Sequence, residues 1–194
     1  MMMPWMLLFA AYLLGSIPTG LLLAKAAGVD IRATGSGNIG ATNVYRTLGR
    51  SVGVLTLAGD CLKGPLPVLL ARYLQLPDVW IAAIGLAAFL GHVYTVFLGF
   101  KGGKGVATAL GVFLGIAPLA VLGALIIFVA IVWQWRFVSL GSIVAAAAMP
   151  GLVAVVNNRP AFVLMTVVVA ALVVWKHREN INRLREGTES KFKA

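Results

Sequence analysis

Residues 106–133 read V-A-T-A-L-G-V-F-L-G-I-A-P-L-A-V-L-G-A-L-I-I-F-V-A-I-V-W, and this run decides the fold. As one helix it would be about 42 Å long at about 1.5 Å per residue, which is too long for a hydrocarbon core of about 30 Å. It is also too short for two full spans. Pro118 lies near its middle, and proline ends or kinks a helix. We therefore predict two short helices, separated at Gly115–Pro118.

The distribution of lysine and arginine favours this break. With two helices in the run the chain crosses a membrane seven times, and the basic residues outside the spans all lie on one side except Arg72 and Arg159. With one helix the basic C-terminal tail moves to the other side. Because basic residues favour the cytoplasmic side, we predict an all-α fold of seven transmembrane helices with the N-terminus outside. Residues 1–194 would form a single polytopic membrane domain, with residues 175–194 as a cytoplasmic basic tail.

The composition is that of an integral membrane protein. Of the 194 residues, 60% are hydrophobic and 11% are charged, and the mean hydropathy is +0.95. A soluble domain of this size cannot bury so much apolar surface, and several segments approach the roughly 18 residues of a membrane span. The net charge of +10 fits cytoplasmic loops, a lipid bilayer and an anionic substrate. We expect no nucleic-acid partner.

Next to the deciding run, Gly99–Thr108 reads G-F-K-G-G-K-G-V-A-T. Glycines let a ligand approach backbone N–H groups, the helix that begins at Val106 adds its N-terminus, and lysine adds positive charge. We predict a cradle for phosphate or carboxylate; the ordinary alternative is a cytoplasmic turn. The pattern G-x-x-x-x-G-K-[ST] of nucleotide loops is missing. The candidate residues are Lys101, Gly102, Gly103, Lys104, Gly105 and Thr108.

A second polar stretch, Gly35–Arg46, reads G-S-G-N-I-G-A-T-N-V-Y-R. Its side chains offer hydrogen bonds, its glycines free backbone amides, and Arg46 carries a planar fork that suits phosphate. The alternative is a polar connection with a helix cap at Thr42 or Asn43. The candidate binding residues are Gly35, Ser36, Gly37, Asn38, Thr42, Asn43 and Arg46.

A third polar stretch is K-H-R-E-N-I-N-R-L-R, Lys176–Arg185. On a helix His177 and Asn180 share a face, and Glu179 and Arg183 are spaced to pair. The alternative is an amphipathic helix at the membrane surface. The seven-span topology places all three stretches on one side, which suggests a phosphorylated substrate.

Charged and polar residues inside the spans are costly in lipid. Asp60 and Lys63 are three apart, and we expect them to pair with each other or with an inward-facing partner, as a structural pair or in support of the site. His92 lies in the third span, as part of the site or in an interhelical hydrogen bond.

No protein nucleophile and no metal site stand out. A G-x-S-x-G elbow is missing, and position 97 is Phe97, so His92 begins no H-x-x-x-x-D pair. Cys61 is the single cysteine, and the two histidines form no ligand set. We expect no metal and no cofactor.

Taken together, these stretches resemble the bacterial acyl-phosphate:glycerol-3-phosphate acyltransferase family, PlsY. The resemblance runs along nearly the whole chain, and Thr95 departs from it where the family usually has proline. The motifs that carry it are L-L-G-S-I-P-T-G at Leu13–Gly20, G-S-G-N-I-G-A-T-N at Gly35–Asn43, D-C-L-K-G at Asp60–Gly64, G-H-V-Y-T-V-F-L-G-F-K-G-G-K-G-V-A-T at Gly91–Thr108 and H-R-E-N-I-N-R-L at His177–Leu184.

The resemblance implies a seven-span enzyme of the bacterial inner membrane, with its active site at the cytoplasmic side. It implies transfer of a fatty acyl group from acyl phosphate to the 1-hydroxyl of sn-glycerol 3-phosphate, which gives lysophosphatidic acid and phosphate in phospholipid biosynthesis. It also implies a functional link to the enzyme that makes acyl phosphate. By the same resemblance Glu179 is a structural support, and the active site contains Ser36, Arg46, Lys104, His177 and Asn180.

Two other classes of function remain possible from the residues alone. A transporter or channel for small organic phosphates would use the same cradles, although the polar groups cluster at the cytoplasmic edge rather than across the midplane. A membrane assembly factor without catalysis would leave the polar stretches unexplained.

Overall fold

The computed structural model describes residues 2–192, and every regular element in this part of the chain is helical. A short 3-10 turn, Val96–Leu98, follows the sixth α-helix. The α-helices are α1 Met3–Ser16, α2 Thr19–Ala26, α3 Ala41–Leu48, α4 Arg50–Leu62, α5 Pro65–Tyr73, α6 Asp78–Val93, α7 Val106–Ile116, α8 Pro118–Trp135, α9 Val138–Val156, α10 Pro160–Lys176 and α11 Arg178–Arg185.

Several of these helices are long and apolar enough to cross a membrane. Five segments of the described chain pass on length and composition: α1 with α2, α4 with α5, α6 with the 3-10 turn, α8, and α9. The pair α10 and α11, bent by 53°, gives a sixth if the two helices are counted as one span. The all-α membrane fold is therefore confirmed, whereas seven spans and the orientation of the termini stay predictions.

The apolar run of residues 106–133 is broken next to Pro118, as the sequence predicts. Helix α7 ends at Ile116 and α8 begins at Pro118. The prediction that both helices are short is wrong for α8, which has 18 residues and is about 27 Å long at about 1.5 Å per residue. It continues through Trp135 and ends where Arg136 takes a left-handed conformation and donates its N–H to the carbonyl of Val132. Only α7, with 11 residues, is short.

The contacts within the described chain form two compact units, one up to Gly115 and one from Ile116 onward. In the first unit α1 packs on α6, α3 on α4 and α5 on α6. In the second unit α9 packs on both α8 and α10. The single polytopic domain expected from the sequence stays a prediction.

The contact between α1 and α6 depends on glycine. A Cβ added to Gly15 would lie 2.0 Å from the carbonyl oxygen of Ala88, and one on Gly91 would lie 2.2 Å from the carbonyl oxygen of Tyr12. The two backbones therefore approach as closely as small residues allow, which is how helices gain van der Waals contact in lipid.

A break inside the first span is repaired by neighbouring helices. Pro18 separates α1 from α2 and leaves carbonyl groups without helical partners. Thr95 Oγ1 donates to the carbonyl oxygen of Ser16 at 2.6 Å, and Lys63 Nζ donates to that of Ile17 at 2.5 Å. Because no water reaches the membrane core, a broken span needs such partners.

The buried ammonium of Lys63 is in turn neutralised by Asp60. Lys63 Nζ lies 2.5 Å from Asp60 Oδ1, and His92 Nδ1 lies 3.7 Å from the same oxygen. The expected pairing of Asp60 with Lys63 is thus confirmed. Because Lys63 also donates to Ile17 in the broken first span, the ion pair has a structural role.

Candidate active site

The glycine-lysine loop folds back on the C-terminal end of α6. The N–H groups of Gly102 and Gly103 donate to the carbonyl oxygens of Val93 and His92, at 3.2 and 3.1 Å. These two amides serve the last carbonyls of α6, which lack helical partners within the helix. The amides at the N-terminus of α7 remain the helix-end donors of the loop. A binding role for Gly102, Gly103, Lys101 and Gly105 stays a prediction.

Glycine is required in this loop by space as well as by backbone angle. A Cβ on Gly103 would lie 2.3 Å from Nε2 of the buried His92. Gly105 has φ +83°, and its Cβ would lie 2.3 Å from the ring of Phe89. The loop is thereby held against α6, with Lys104 half-buried next to the start of α7.

The stretch Gly35–Arg46 is organised around one buried amide. Asn43 Nδ2 donates to the carbonyl oxygens of Thr34 and Asn38, at 3.1 and 2.9 Å, and Asn43 Oδ1 accepts from the N–H of Ser36 at 2.9 Å. Asn38 Oδ1 accepts from the N–H of Gly40 at 2.8 Å. The side chains of Asn43 and Asn38 thus hold the loop in shape, and their predicted contact with phosphate stays a prediction.

Other candidates of this stretch lie at its surface. Ser36 and Arg46 are exposed, and Thr42 is half-buried. Gly35 and Gly37 have φ of +59° and +69°, which turns the backbone around the side chain of Asn43. The exposed positions suit residues that meet a ligand.

The segment that leads into Gly35–Arg46 contacts the glycine-lysine loop in the first unit. Arg32 Nη2 donates to the carbonyl oxygen of Lys101 at 3.5 Å. Leu98, the residue before the loop, packs against an apolar cluster of Leu21, Ala24, Ile31, Ile39 and Val44. The segment that leads into Gly35–Arg46 and the glycine-lysine loop therefore share one support.

Thr108 is fully buried, and its Oγ1 donates to the carbonyl oxygen of Asp60 at 2.9 Å. This bond joins α7 to α4, next to the pair of Asp60 and Lys63. The hydroxyl supports helix packing here, and the predicted phosphate contact of Thr108 stays a prediction.

Two adjoining grooves lie beside these loops in the first unit. One, of about 370 Å³, is lined mainly by apolar residues that include Pro18, Leu22 and Phe97. The other, of about 480 Å³, is lined by both apolar and charged residues, the charged ones being Lys25, Asp30 and Arg32. Leu21, Lys25 and Leu98 belong to both grooves. A mainly apolar groove therefore continues into one that also contains charged side chains.

In the second unit His177 lies at the bend between α10 and α11 and is 3% exposed. Its Nδ1 lies 2.7 Å from the carbonyl oxygen of Val173. A carbonyl oxygen accepts only, so Nδ1 carries the proton, and in the neutral ring Nε2 is an acceptor. The bend thus fixes both the position and the tautomer of the imidazole.

Asn180, one turn further along α11, is 6% exposed and is held by a residue that the sequence did not indicate. Its Nδ2 donates to Glu189 Oε1 at 2.7 Å. Ser139 Oγ donates to the same oxygen at 2.6 Å, and Arg183 Nε donates to Oε2 at 2.7 Å. The expected pairing of Glu179 with Arg183 is therefore wrong, since Arg183 pairs with Glu189.

The environment of Glu189 favours its charged form. Burial alone would raise the pKa of this carboxyl, but three hydrogen bonds and the charge of Arg183 outweigh burial and hold the pKa below its usual value. Glu189 lies beyond the end of α11 and outside any helical spacing. No sequence pattern therefore points to it.

How His177 and Asn180 lie relative to the loops of the first unit stays a prediction. Within the first unit Arg32, which precedes Gly35–Arg46, contacts the glycine-lysine loop. Within the second unit Asn180, Ser139 and Arg183 meet one carboxylate. Each unit thus offers a preformed set of polar groups.

Comparison with known proteins gives one consistent result. The family described as glycerol-3-phosphate acyltransferase matches residues 5–187. A protein of that name from Geobacter metallireducens is 75% identical over 194 residues and covers 100% of both chains. Another, from Geotalea daltonii, is 73% identical over 187 residues, which is 96% of each chain.

Two solved structures are also similar along nearly the whole chain. Both are of PlsY (YgiH), an integral membrane glycerol 3-phosphate acyltransferase. The glycerol 3-phosphate form has a TM-score of 0.95 and 46% identity, and covers 98% of this chain and 96% of that one. The lysophosphatidic acid form has a TM-score of 0.92 and 45% identity, and covers 98% and 95%.

Proposed function

This chain belongs to the glycerol-3-phosphate acyltransferase family, and we propose that its acyl donor is an acyl phosphate. The protein is a membrane-embedded enzyme that acylates glycerol 3-phosphate to lysophosphatidic acid. In the proposed reaction the 1-hydroxyl oxygen attacks the acyl carbonyl carbon, and the bond from that carbon to the phosphate oxygen breaks. Inorganic phosphate leaves, and the hydroxyl proton passes to it.

The arrangement of the loops in the first unit supports a donor that itself carries phosphate. Acceptor and donor would then both be phosphates, and each needs cationic and amide groups. The contact of Arg32 with Lys101 joins the glycine-lysine loop to the segment that leads into Gly35–Arg46, and this observation carries the proposal. Lys104, Arg46 and Ser36 would bind the two phosphates.

An acyl phosphate is an activated mixed anhydride, so the protein can catalyse acyl transfer by positioning the substrates and stabilising charge. His177 and Asn180 would orient the acceptor or the donor. The fixed tautomer of His177 presents Nε2 as an acceptor, which suits a hydroxyl. The phosphate of the donor would take the proton.

The adjoining grooves suit the remaining part of the donor. The apolar groove would accept a hydrocarbon chain, and the adjoining groove, which contains Lys25 and Arg32, would accept a polar head. We place the fatty acyl chain along Leu22 and Phe97.

Seven spans, an outside N-terminus and a cytoplasmic C-terminus complete the proposal. Helix α7 would then be a short crossing, shielded from lipid by its neighbours. The enzyme would lie in the bacterial inner membrane, with its site at the cytoplasmic side, where the enzyme that makes acyl phosphate supplies the donor. A transporter or channel for organic phosphates is not favoured, since the relatives are named as acyltransferases.

Purified protein incubated with glycerol 3-phosphate and one donor at a time tests the proposal. We expect lysophosphatidic acid from acyl phosphate and little or none from acyl-CoA or acyl carrier protein. Lys104→Ala should lower the rate or affinity at least tenfold, because a charge-assisted hydrogen bond to phosphate contributes about 1.5–3 kcal/mol.

Arg50→Ala is the matched control, since Arg50 is an exposed basic residue at the start of α4 outside the loops. It should keep its activity within about twofold. Faster reaction with acyl-CoA than with acyl phosphate would refute the donor, and near-normal activity of Lys104→Ala would refute the cradle.

A further inference from the structure

We propose that Lys25 is a specificity-determining residue of the acyltransferase, which binds the phosphate of the acyl donor where the donor passes from the bilayer into the candidate site. The inference rests on the proposed use of an acyl phosphate. It adds to that proposal a lateral entrance in the first unit, between α2 and the 3-10 turn, and one cation that selects the molecule entering there.

The mainly apolar groove between α2 and the 3-10 turn is open to the bilayer. Lys25 is the single charged residue in its lining. The side chains of Ile17, Leu22 and Phe97, which belong to the same lining, are exposed. Since α2 is part of the first candidate membrane span, exposed apolar side chains here contact hydrocarbon. One alkyl chain can therefore move from the bilayer into the groove without crossing water.

Lys25 lies where this groove meets the second one. It belongs to the last turn of α2, its side chain is exposed, and it lines both grooves. Among residues 2–192 no acidic side chain forms an ion pair with its ammonium group. A lysine stem lies along apolar surface while its charge reaches polar surroundings. A single-chain lipid with an anionic head has its apolar and charged parts in the matching order.

The charges of the second groove favour an anion. Lys25 and Arg32 are its two cations, and Asp30 is its one acid. Asp30 Oδ1 accepts a hydrogen bond from the N–H of Arg32 at 3.0 Å, which occupies part of this carboxylate. Two cations and one carboxylate leave a net positive charge, which attracts phosphate.

The second groove also leads towards the glycine-lysine loop. Arg32 Nη2 donates to the carbonyl oxygen of Lys101 at 3.5 Å. Leu98, which lines both grooves, comes directly before the loop. A path that begins at Leu22 and passes Lys25 and Arg32 therefore ends beside the loop that is proposed to bind phosphate.

A donor that enters along this path is selected by its head. The ammonium of Lys25 forms a charge-assisted hydrogen bond with a phosphate, whereas a neutral lipid with the same chain offers no charge. Lys25 takes no part in the bond changes at the acyl carbon. A residue that contributes only to substrate binding affects KM and leaves kcat unchanged.

Lys25→Met is the informative substitution because methionine keeps an unbranched apolar side chain and lacks the charge. With palmitoyl phosphate as the donor, we expect its KM to rise at least fivefold, because a charge-assisted hydrogen bond is lost. The kcat and the KM for glycerol 3-phosphate should each change less than about twofold.

Lys25→Arg separates binding from a structural role. Arginine keeps the positive charge and can also donate to phosphate, so the KM for palmitoyl phosphate should return to within about threefold of that of the unaltered protein. Thermal melting in detergent should give the same melting temperature for the unaltered protein and both variants.

Arg50→Met is the matched control, because Arg50 is an exposed basic residue that lines neither groove. It removes the same charge from the chain, so it reports any general attraction between a basic protein and an anionic donor. Its KM for palmitoyl phosphate should stay within about twofold of that of the unaltered protein.

Inhibitors separate the head of the ligand from its chain. Dodecyl phosphate should compete with palmitoyl phosphate, and Lys25→Met should raise its inhibition constant at least fivefold. Dodecanol has the same chain without phosphate, and any inhibition by it should be equal in the two proteins. Failure of dodecyl phosphate to inhibit the unaltered protein would refute a site for a single-chain phosphate.

The other contrary outcomes are distinguishable. An unchanged KM for palmitoyl phosphate in Lys25→Met would refute the role of Lys25 and leave the proposed function intact. If only the inhibition constant of lysophosphatidic acid rose, Lys25 would belong to product release instead. A lower melting temperature with no rescue by Lys25→Arg would show a structural role. Reaction of the unaltered protein with acyl-CoA in place of acyl phosphate would refute the proposed donor, and the inference with it.

Discussion

At the scale of single residues, buried polar side chains in the spans serve backbone groups that proline or a helix end leaves without partners. Lys63 donates to Ile17 beside Pro18, and Thr95 donates to Ser16. Arg72, which is exposed, also donates from Nη1 to a carbonyl oxygen, that of Gly115 near the end of α7, at 2.6 Å. Each bond satisfies a carbonyl that would otherwise lie unpaired in lipid or protein, at a cost of about 1–3 kcal/mol.

Lys63→Met tests this explanation. The substitution leaves the carboxylate of Asp60 buried without its cation and the carbonyl of Ile17 without its donor, so we expect a loss of about 3–5 kcal/mol in stability. Thermal melting in detergent measures the loss as a lower melting temperature.

The combined variant Asp60→Leu with Lys63→Met is the control for the charge. It removes the unpaired carboxylate and leaves only the unpaired carbonyl, so its loss should be smaller, about 1–3 kcal/mol. Equal stability of Lys63→Met and the unaltered protein would contradict the structural role of the pair.

Part of this arrangement is predictable from the sequence. Two opposite charges three residues apart in an apolar segment indicate a buried pair, because an isolated charge in lipid is costly. The sequence does not reveal that Lys63 reaches Ile17, since this contact joins residues 46 positions apart and depends on how α1 and α4 pack. Glu189 was missed for the same reason, as its bond to Ser139 spans 50 positions.

At the scale of elements, the glycine-lysine loop shows which features a sequence motif indicates and which depend on the tertiary structure. The sequence indicated that glycine density means an unusual backbone, and Gly99 and Gly105 do have positive φ. It did not reveal that α6 ends beside the loop and accepts the amides of Gly102 and Gly103. Whether a loop N–H group donates to a ligand or to the carbonyls at a helix end depends on the tertiary structure.

Gly105→Ala tests how tightly the loop is seated. The new methyl would meet the ring of Phe89 at 2.3 Å at a residue with φ +83°, so both clash and backbone strain apply. We expect at least a tenfold loss of acyltransferase activity, because the neighbouring Lys104 moves with the loop.

Gly49→Ala is the control for backbone strain alone. Gly49 has φ +84° with nothing within 4 Å of an added Cβ, so its cost should stay near 1 kcal/mol and its activity within about threefold. Equal activity of the two variants would contradict a sterically fixed loop.

At the scale of the whole molecule, apolar length and proline position predicted the helical membrane fold, because lipid permits few alternatives for the backbone. The break at Pro118 followed from the same physics, whereas the full length of α8 did not, since Gln134 and Trp135 extend it past the apolar run. The hydropathy pattern marks the end of the apolar run, whereas the helix continues for as long as its backbone hydrogen bonds do.

The central claim is that the loops of the first unit and the tail of the second lie on one side of the membrane, where they bind two phosphates. It is tested most directly by cysteine labelling in a Cys61→Ala background, with single cysteines at the exposed positions Ala33, Leu74 and Glu186. A membrane-impermeant maleimide applied to spheroplasts should label the cysteine at position 74, and those at positions 33 and 186 only after permeabilisation. Labelling of positions 33 and 186 from opposite sides would contradict the account.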